Sequence, residues 1–362
     1  MVPTVTSRAP GKIIFLGEYA VLKGAPAIVA AMNRFATVRV SPSQQGFSLY
    51  SPLIHPEKLT FSLDDNKQPQ FLSLPPEVLT KLLFFSTTFE FAVRELSRRQ
   101  LPLHPAEIEL DTSDFYLGKD DLKLGLGSSA ALTVALLAAL YEYAGISLRD
   151  EEARLHLLQM ALDAHRVAQK KIGSGVDIAA STFGGVLEFQ RMEETLTQPV
   201  YLEEVELPPN LYYLFVWSGT PASTSRLVKQ VEEWETLHPK QAQELYRKMI
   251  DLCKTGCEAI KIGDTNQFLE IVDSYYHYLH ELGKQSGAPI VSPVHQHLAD
   301  LVKEAGGFYK PSGAGEGDLG IAFTNSPETA ENIKRHLTSA GFTVLPLEIE
   351  KDGVQCQIKE GH

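Results

Sequence analysis

Leu124-Gly125-Leu126-Gly127-Ser128-Ser129-Ala130-Ala131 is the stretch on which the reading of the fold turns. It opens a run whose apolar positions Leu132, Leu136, Leu140 and Tyr143 recur at helical spacing, so it reads as a loop feeding a helix N-terminus. Backbone N–H groups of such a turn, with the positive end of the helix dipole behind them, favour a polyphosphate, and a serine hydroxyl can coordinate Mg2+ or a phosphate oxygen. Serine is also a good N-cap, and a glycine-rich connection whose serines only cap the helix fits the same residues.

Working outward, residues 2–40 are strand-like, with β-branched Val5, Ile13 and Ile14 and alternation over residues 35–40. Pro75 and Pro76 open an amphipathic helix running to about Arg99, and residues 106–110 alternate like a strand. Downstream, a second helix spans roughly residues 151–171 and closes on Ile172-Gly173-Ser174-Gly175, followed by Asp177 and a strand over residues 186–189. Beyond about Gln190 the order is strand (212–217), several helices between about 223 and 305, strands (308–311 and 319–323), helix (328–340) and strand (343–347). The pattern predicts an α/β chain of two domains, residues 1–190 and 191–362, the second a two-layer α+β unit. At 362 residues and 44% hydrophobic content, one ordinary core would be too small for the chain.

Lys and Arg total 33 against 45 Asp and Glu, a formal charge of −12, which argues against nucleic acid or an anionic membrane as partner but leaves room for a basic pocket. Cys253 and Cys257 sit one helical turn apart, with Cys356 distant and no His or Cys at metal-ligand spacing, so they read as small buried hydrophobes. No apolar run reaches the roughly 18 to 20 residues that span a membrane, and a soluble cytoplasmic protein is expected; the sequence leaves oligomeric state open.

The dinucleotide pattern G-x-G-x-x-G/A occurs at residues 125–130 and 315–320, but the first follows the polar Lys119-Asp120-Asp121 and the second runs into a strand, so neither sits in a Rossmann unit. A P-loop is absent, because Gly11-Lys12 is followed by Ile13 and lacks the first glycine. A second glycine-rich connection, Lys310-Pro311-Ser312-Gly313-Ala314-Gly315-Glu316-Gly317-Asp318, joins two strand-like runs and would let backbone approach a ligand closely.

Three loops in order carry a resemblance: Ala9-Pro10-Gly11-Lys12 with Gly17-Glu18-Tyr19-Ala20, then the Gly125-to-Ala131 stretch, then Ser312-Gly313-Ala314-Gly315-Glu316-Gly317-Asp318. Together they resemble the three motifs of the GHMP small-molecule kinases. Within that superfamily Ala164-His165-Arg166-Val167-Ala168-Gln169, Ser174-Gly175-Val176-Asp177, Ser218-Gly219-Thr220-Pro221 and Lys310-Pro311-Ser312 look like the phosphomevalonate kinase branch. Mevalonate kinases carry a histidine where this chain has Tyr19, and a glutamate in the helix where it has Arg166. The last motif usually reads Gly-Gly-Gly-Asp; Glu316 departs from it, and an anionic side chain beside a phosphate site is unfavourable unless it points away.

The resemblance implies a left-handed β-α-β unit in the first domain, a ferredoxin-like second domain, and ATP with Mg2+ in the cleft between. It implies that Gly125, Gly127, Ser128, Ser129 and Ala130 hold the nucleotide, that Ser129 and Gln169 serve the metal, and that Lys12 neutralises the transferring group. Outside that context Lys12 is an exposed lysine after a turn. Asp177 falls where relatives place a general base or an orienting carboxylate, though its spacing also permits a helix N-cap. An anionic acceptor directs attention to Tyr19, Ser174, Gly175, Ser223, Thr224, Arg226, Lys310, Ser312, Gly313, Gly315 and Asp318, with Lys170 and Lys171 in reserve. His165 reads as a packed or hydrogen-bonded residue and not a catalyst, and His277 and His280 as helix surface.

Overall fold

The computed structural model describes residues 2–118, 122–169, 173–192 and 200–360. The first part of the chain forms β1 (Thr4–Leu16), β2 (Ala27–Pro42), β3 (Phe47–Ser51), β4 (His55–Leu63) and β5 (Pro69–Phe71), then α1 (Pro76–Lys81) and α2 (Leu83–Arg98). After β6 (Ala106–Asp111) and the short pair β7 (Tyr116–Leu117) and β8 (Leu122–Lys123) come α3 (Ser128–Tyr143), α4 (Glu151–Ala168), α5 (Val176–Phe183), β9 (Val186–Arg191) and β10 (Val200–Glu204). The rest runs β11 (Tyr212–Trp217), α6 (Thr224–Leu237), α7 (Pro239–Ile262), α8 (Thr265–Ser286), α9 (Pro293–Glu304), β12 (Phe308–Pro311), β13 (Leu319–Thr324), α10 (Pro327–Ser339), β14 (Thr343–Leu345) and β15 (Gln355–Lys359).

Nine strands form the larger sheet, in the order β10-β9-β2-β6-β3-β4-β5, with β1 joining β2 to β15. The hairpin of β1 and β2 is antiparallel from Val5 opposite Val40 to Leu16 opposite Ile28, with register shifts at Pro10/Gly11 and Ile14/Leu16. The first shift bends β1 toward the glycine-rich turn, where the Lys12 N–H donates to the Leu126 carbonyl at 2.8 Å. Gly11 permits that approach, since a Cβ there would strike both the Leu126 carbonyl and the Phe115 ring.

The central helix α3 is buried nearly all round, from Ser128 through Ala139 to Tyr143, and packs on β1, β2, α2, α4 and α5. Its run of small and aliphatic residues suits that position, because a helix apolar on every side has no solvent face. The smaller sheet is antiparallel throughout in the order β12-β13-β11-β14, which is the strand order of a ferredoxin-like layer, with α6 to α9 filling the place of its first helix. One apolar core continues through both sheets: Phe15 of β1 meets Tyr213, Phe215 and Phe323 edge-on at centroid distances of 5.2, 6.2 and 5.6 Å.

Several sequence expectations need correction. The helix read from Pro75 to Arg99 is two helices that meet at Leu82, and none of the residues of α1 is buried. Strands β3 to β5, β10 and β15 lay outside the sequence reading. The sheets also do not divide the chain at residue 190: β10 pairs with β9, and β15 returns from the far end to pair with β1 from Arg8 opposite Gln355 to Thr4 opposite Lys359. The cysteines are free thiols, and burial pushes the Cys253 thiol up to about 12, as suits an inert core residue.

Candidate functional site

The loop before α3, the first turn of α5, the residues after β1 and the connection between β12 and β13 converge on a cleft of about 580 Å3. Three loops far apart in sequence meet because β1 runs beneath α3 and α5 and reaches the smaller sheet at its C-terminal end. Of the expected residues, Lys12, Tyr19, Gly125, Gly127, Ser128, Ser129, Gln169, Ser174, Asp177, Thr224, Ser312, Gly313 and Asp318 line it.

Gly127 is the N-cap of α3 in the left-handed region, at φ 77°, and no side chain caps the helix. The serine hydroxyls are therefore not consumed by capping, which removes the bland reading of this turn. Ser129 Oγ lies 3.2 Å from His165 Nε2, whose ring is buried and sits 5.3 Å from Phe84. Burial pushes the His165 imidazole below its ordinary value, with the nearby Asp177 carboxylate acting in the opposite direction. Ala130 is turned inward, its N–H donating to the Gly127 carbonyl at 3.1 Å, so it does not face the cleft.

A Cβ added at Gly127 would come within 3.3 Å of Lys12 Cγ and 3.6 Å of Asp177 Cβ, which places both side chains against the head of α3. Lys12 Nζ is 3.4 Å from the Gly125 carbonyl. Asp177 is the second residue of α5, and Gly175, at φ 85°, takes the N-cap position, so the alternative of Asp177 as N-cap is not realised. Its Oδ1 accepts from the Ile178 N–H at 3.0 Å while the residue lines the cleft. Gly175 instead lines a smaller side pocket with Arg166 and Arg191, which shares Gln169, Gly173 and Ser174 with the cleft.

The late loop distributes its residues unevenly. Asp318 faces the cleft, and its Oδ1 accepts from the Ala222 N–H at 3.0 Å. Burial raises the Asp318 carboxyl above its usual range, against the Ala222 hydrogen bond and the charges of Lys12 and Lys123, which hold it down. Ser312 lines the cleft, but its hydroxyl is engaged by the Ile14 backbone, accepting at 3.1 Å and donating at 3.0 Å. Gly315 packs on the Ile290 carbonyl with no room for a Cβ.

Lys310 is not the substrate-gripping cation expected from sequence: it has no exposed surface and its ammonium is paired with Glu18. Arg226 is likewise turned aside, paired with Glu316, and Ser223 precedes α6 as an exposed residue. That pairing answers the question raised by Glu316, whose side chain points to Arg226 and does not line the cleft. Lys170 and Lys171 lie outside the described residues. The sequence reading missed Lys123, which lines the cleft from its rim near Asp318; a lysine directly before the glycine-rich turn was the available signal.

Residues 88–185 match the model for the N-terminal domain of GHMP kinases. The chain is 28% identical to the phosphomevalonate kinase of Streptomyces sp. (strain CL190), over 97% of this chain and 98% of that one, and 26% identical to the mevalonate kinase of Pyrococcus abyssi, over 98% of each. Its fold matches the Lin0012 protein from Listeria innocua with a TM-score of 0.85 at 27% identity, covering 99% of this chain and 100% of that one. It also matches Streptococcus pneumoniae phosphomevalonate kinase, solved with phosphomevalonate and AMPPNP, with a TM-score of 0.77 at 19% identity, covering 95% and 99%. Residues 88–185 are thus similar to a GHMP kinase N-terminal domain, and the fold of nearly the whole chain is similar to that of the Lin0012 protein. The chain is similar along nearly its whole length to phosphomevalonate kinases and to mevalonate kinases.

Proposed function

We propose that the chain transfers the γ-phosphoryl group of ATP to (R)-5-phosphomevalonate, forming 5-diphosphomevalonate in the mevalonate route to isoprenoids. The observation that carries this reading is the pair of cleft lysines, Lys12 and Lys123, set around the open N-terminus of α3. Two ammonium groups and a helix N-terminus, with Asp177 and Asp318 on the same cleft, suit the phosphates of a nucleotide and of an acceptor that brings its own. The 28% identity to a phosphomevalonate kinase supports the same assignment.

In this scheme an oxygen of the acceptor phosphate forms the new bond to the γ-phosphorus while the bond to the β–γ bridging oxygen breaks, leaving ADP. Lys12 offsets charge developing on the transferring group, and the Ser128 and Ser129 end of α3 holds the nucleotide phosphates. Asp177 orients the acceptor beside Lys12. A phosphate monoester, with a second pKa near 6, is mostly ionised at neutral pH and needs little base catalysis.

No group of three or more His, Cys, Asp or Glu able to cage a metal occurs among the described residues. That fits Mg2+, which keeps several waters and takes one or two protein oxygens plus substrate phosphates. Ser129 Oγ, Asp177 and Gln169 are the oxygen donors at hand, and the bound ion would supply charge neutralisation on the phosphates.

The mevalonate kinases among its relatives keep an alcohol acceptor as the second reading, in which Asp177 acts as a base. ADP release measured over phosphorylated and unphosphorylated acceptors separates them. Turnover of phosphomevalonate with none of mevalonate is expected; the reverse result would overturn the acceptor assignment and leave the fold unaffected.

A further inference from the structure

Lys310 is the one lysine or arginine buried among the described residues, and phosphoryl transfer as written above gives it no chemistry. Its ammonium is held by the Glu18 carboxylate, by the Ile14 carbonyl at 3.3 Å and by the Pro311 carbonyl at 3.0 Å. Ser312 bonds both backbone groups of Ile14, the Tyr19 hydroxyl donates to the Ala314 carbonyl at 2.7 Å, and the Tyr275 hydroxyl donates to the Glu18 carbonyl at 2.7 Å. β1 and β12 belong to different sheets and share no ladder, so side chains make this joint.

The joint forms the floor of the cleft, which Ile14, Glu18, Tyr19, Ser312 and Gly313 all line. Lys12 lies two residues before it on one side, and on the other the same loop runs on to Asp318, which packs on Gly125. Tyr19 holds a left-handed φ of 61°, a strained conformation for a bulky residue that the surrounding bonds must impose.

We propose that Glu18 and Lys310 are positioning residues for catalysis: their buried ion pair fixes the loop after β12 against the end of β1, so that Lys12, Gly125 and Asp318 meet in one place. Stability is a poor explanation for such a pair, because apolar residues of similar volume in its place are often neutral or better, whereas removing one partner strands a buried charge. Burial pushes the Glu18 carboxyl up and the Lys310 ammonium down, and each is held against that push by the other.

The test compares wild type, Lys310→Met and the double variant Glu18→Met/Lys310→Met by thermal unfolding, hydrogen exchange of the amides of residues 312–318, and kinetics with ATP and phosphomevalonate. The single variant should lose stability, because Glu18 is left unpaired. The double variant should melt close to wild type, yet exchange the loop amides about ten-fold faster or more. Its kcat should fall by about 10- to 100-fold, the scale of an ångström of misplacement, with the KM for ATP little changed. Wild-type exchange in a folded double variant overturns the proposal, as does full recovery of kcat. If the double variant does not fold, Glu18→Gln is read by the same exchange criterion. The turnover arm rests on the kinase reading, whereas the exchange arm does not: a wild type inactive on every acceptor sinks that reading and leaves exchange to decide this one.

Discussion

The Asp318 carboxyl group, carried by the loop of the smaller sheet, occupies the place that a Cβ at Gly125 would take, and Gly125 holds a left-handed φ of 70°. The glycine-rich turn before α3 and the late loop are thus in direct contact, and only glycine satisfies both the backbone and the space.

Gly125→Ala should therefore cost about 1–3 kcal/mol of stability from backbone strain, before any cost of displacing Asp318. Turnover should fall by about 100-fold or more, since an ångström of displacement at this contact moves Lys12 and Asp318 together. Urea unfolding and kcat of the purified variant check this; wild-type kcat would show the contact to be incidental.

Lys12→Met should keep the fold and lose about 10²- to 10³-fold or more in kcat, the range for deleting one preorganised electrostatic group. The residue sits on β1 with its backbone N–H, not its side chain, anchoring the strand to Leu126, so the variant retains the structural bond. Circular dichroism alongside kcat separates the two roles, and near-normal turnover would end the assignment.

Asp177→Asn distinguishes an ionised acceptor from an alcohol. With phosphomevalonate the wild-type kcat/KM should rise with ionisation of the acceptor phosphate near pH 6, and the variant should keep that profile at reduced amplitude. The 10² to 10⁴ that a positioned base contributes should be absent from the loss. A total loss, with a wild-type profile following a carboxylate instead, would assign Asp177 to proton abstraction.

His295 gives a pH prediction independent of the reaction. It is fully buried, with Nδ1 2.7 Å from the Tyr309 hydroxyl and Nε2 3.0 Å from the Gly317 carbonyl, and burial lowers its pKa to about 4. The unfolded chain, with an ordinary histidine pKa near 6.5, binds a proton over the window from 6.5 down to 4 that the folded chain refuses, so stability is full above 6.5 and falls with pH. At pH 5 the loss from this residue should be about 2 kcal/mol. Denaturant unfolding at pH 7 and pH 5 should show a smaller drop for His295→Gln than for wild type; equal drops would mean that the buried ring accepts its proton at no cost.

The segments richest in local signal were legible from sequence. The glycine-rich turn, the all-apolar run of α3 and the strand at residues 212–217 follow from periodicity and turn chemistry, and both chemical candidates on β1 and α5, Lys12 and Asp177, fall in the cleft. β4 exposes most of its residues and so lacks a clean alternation, and β15 is exposed on the edge of β1, which is why neither was seen.

What the sequence by itself determined is which segments are glycine-rich loops and the order of most elements, because glycine, serine and apolar spacing act over a few residues. Only tertiary structure decided which cations are free to act. Lys310, Arg226, Lys12 and Lys123 are equivalent charges in a string of letters, but Lys310 closes on Glu18 and Arg226 on Glu316 from residues 292 and 90 positions away. Lys12 and Lys123 are left facing the cleft. For Lys310 the reason is that a buried charge must find an opposite charge or lose its ionisation; Arg226 is an exposed charge whose partner comes from a distant loop, and in both cases the packing of the chain brings the two together at a range that no local pattern reaches.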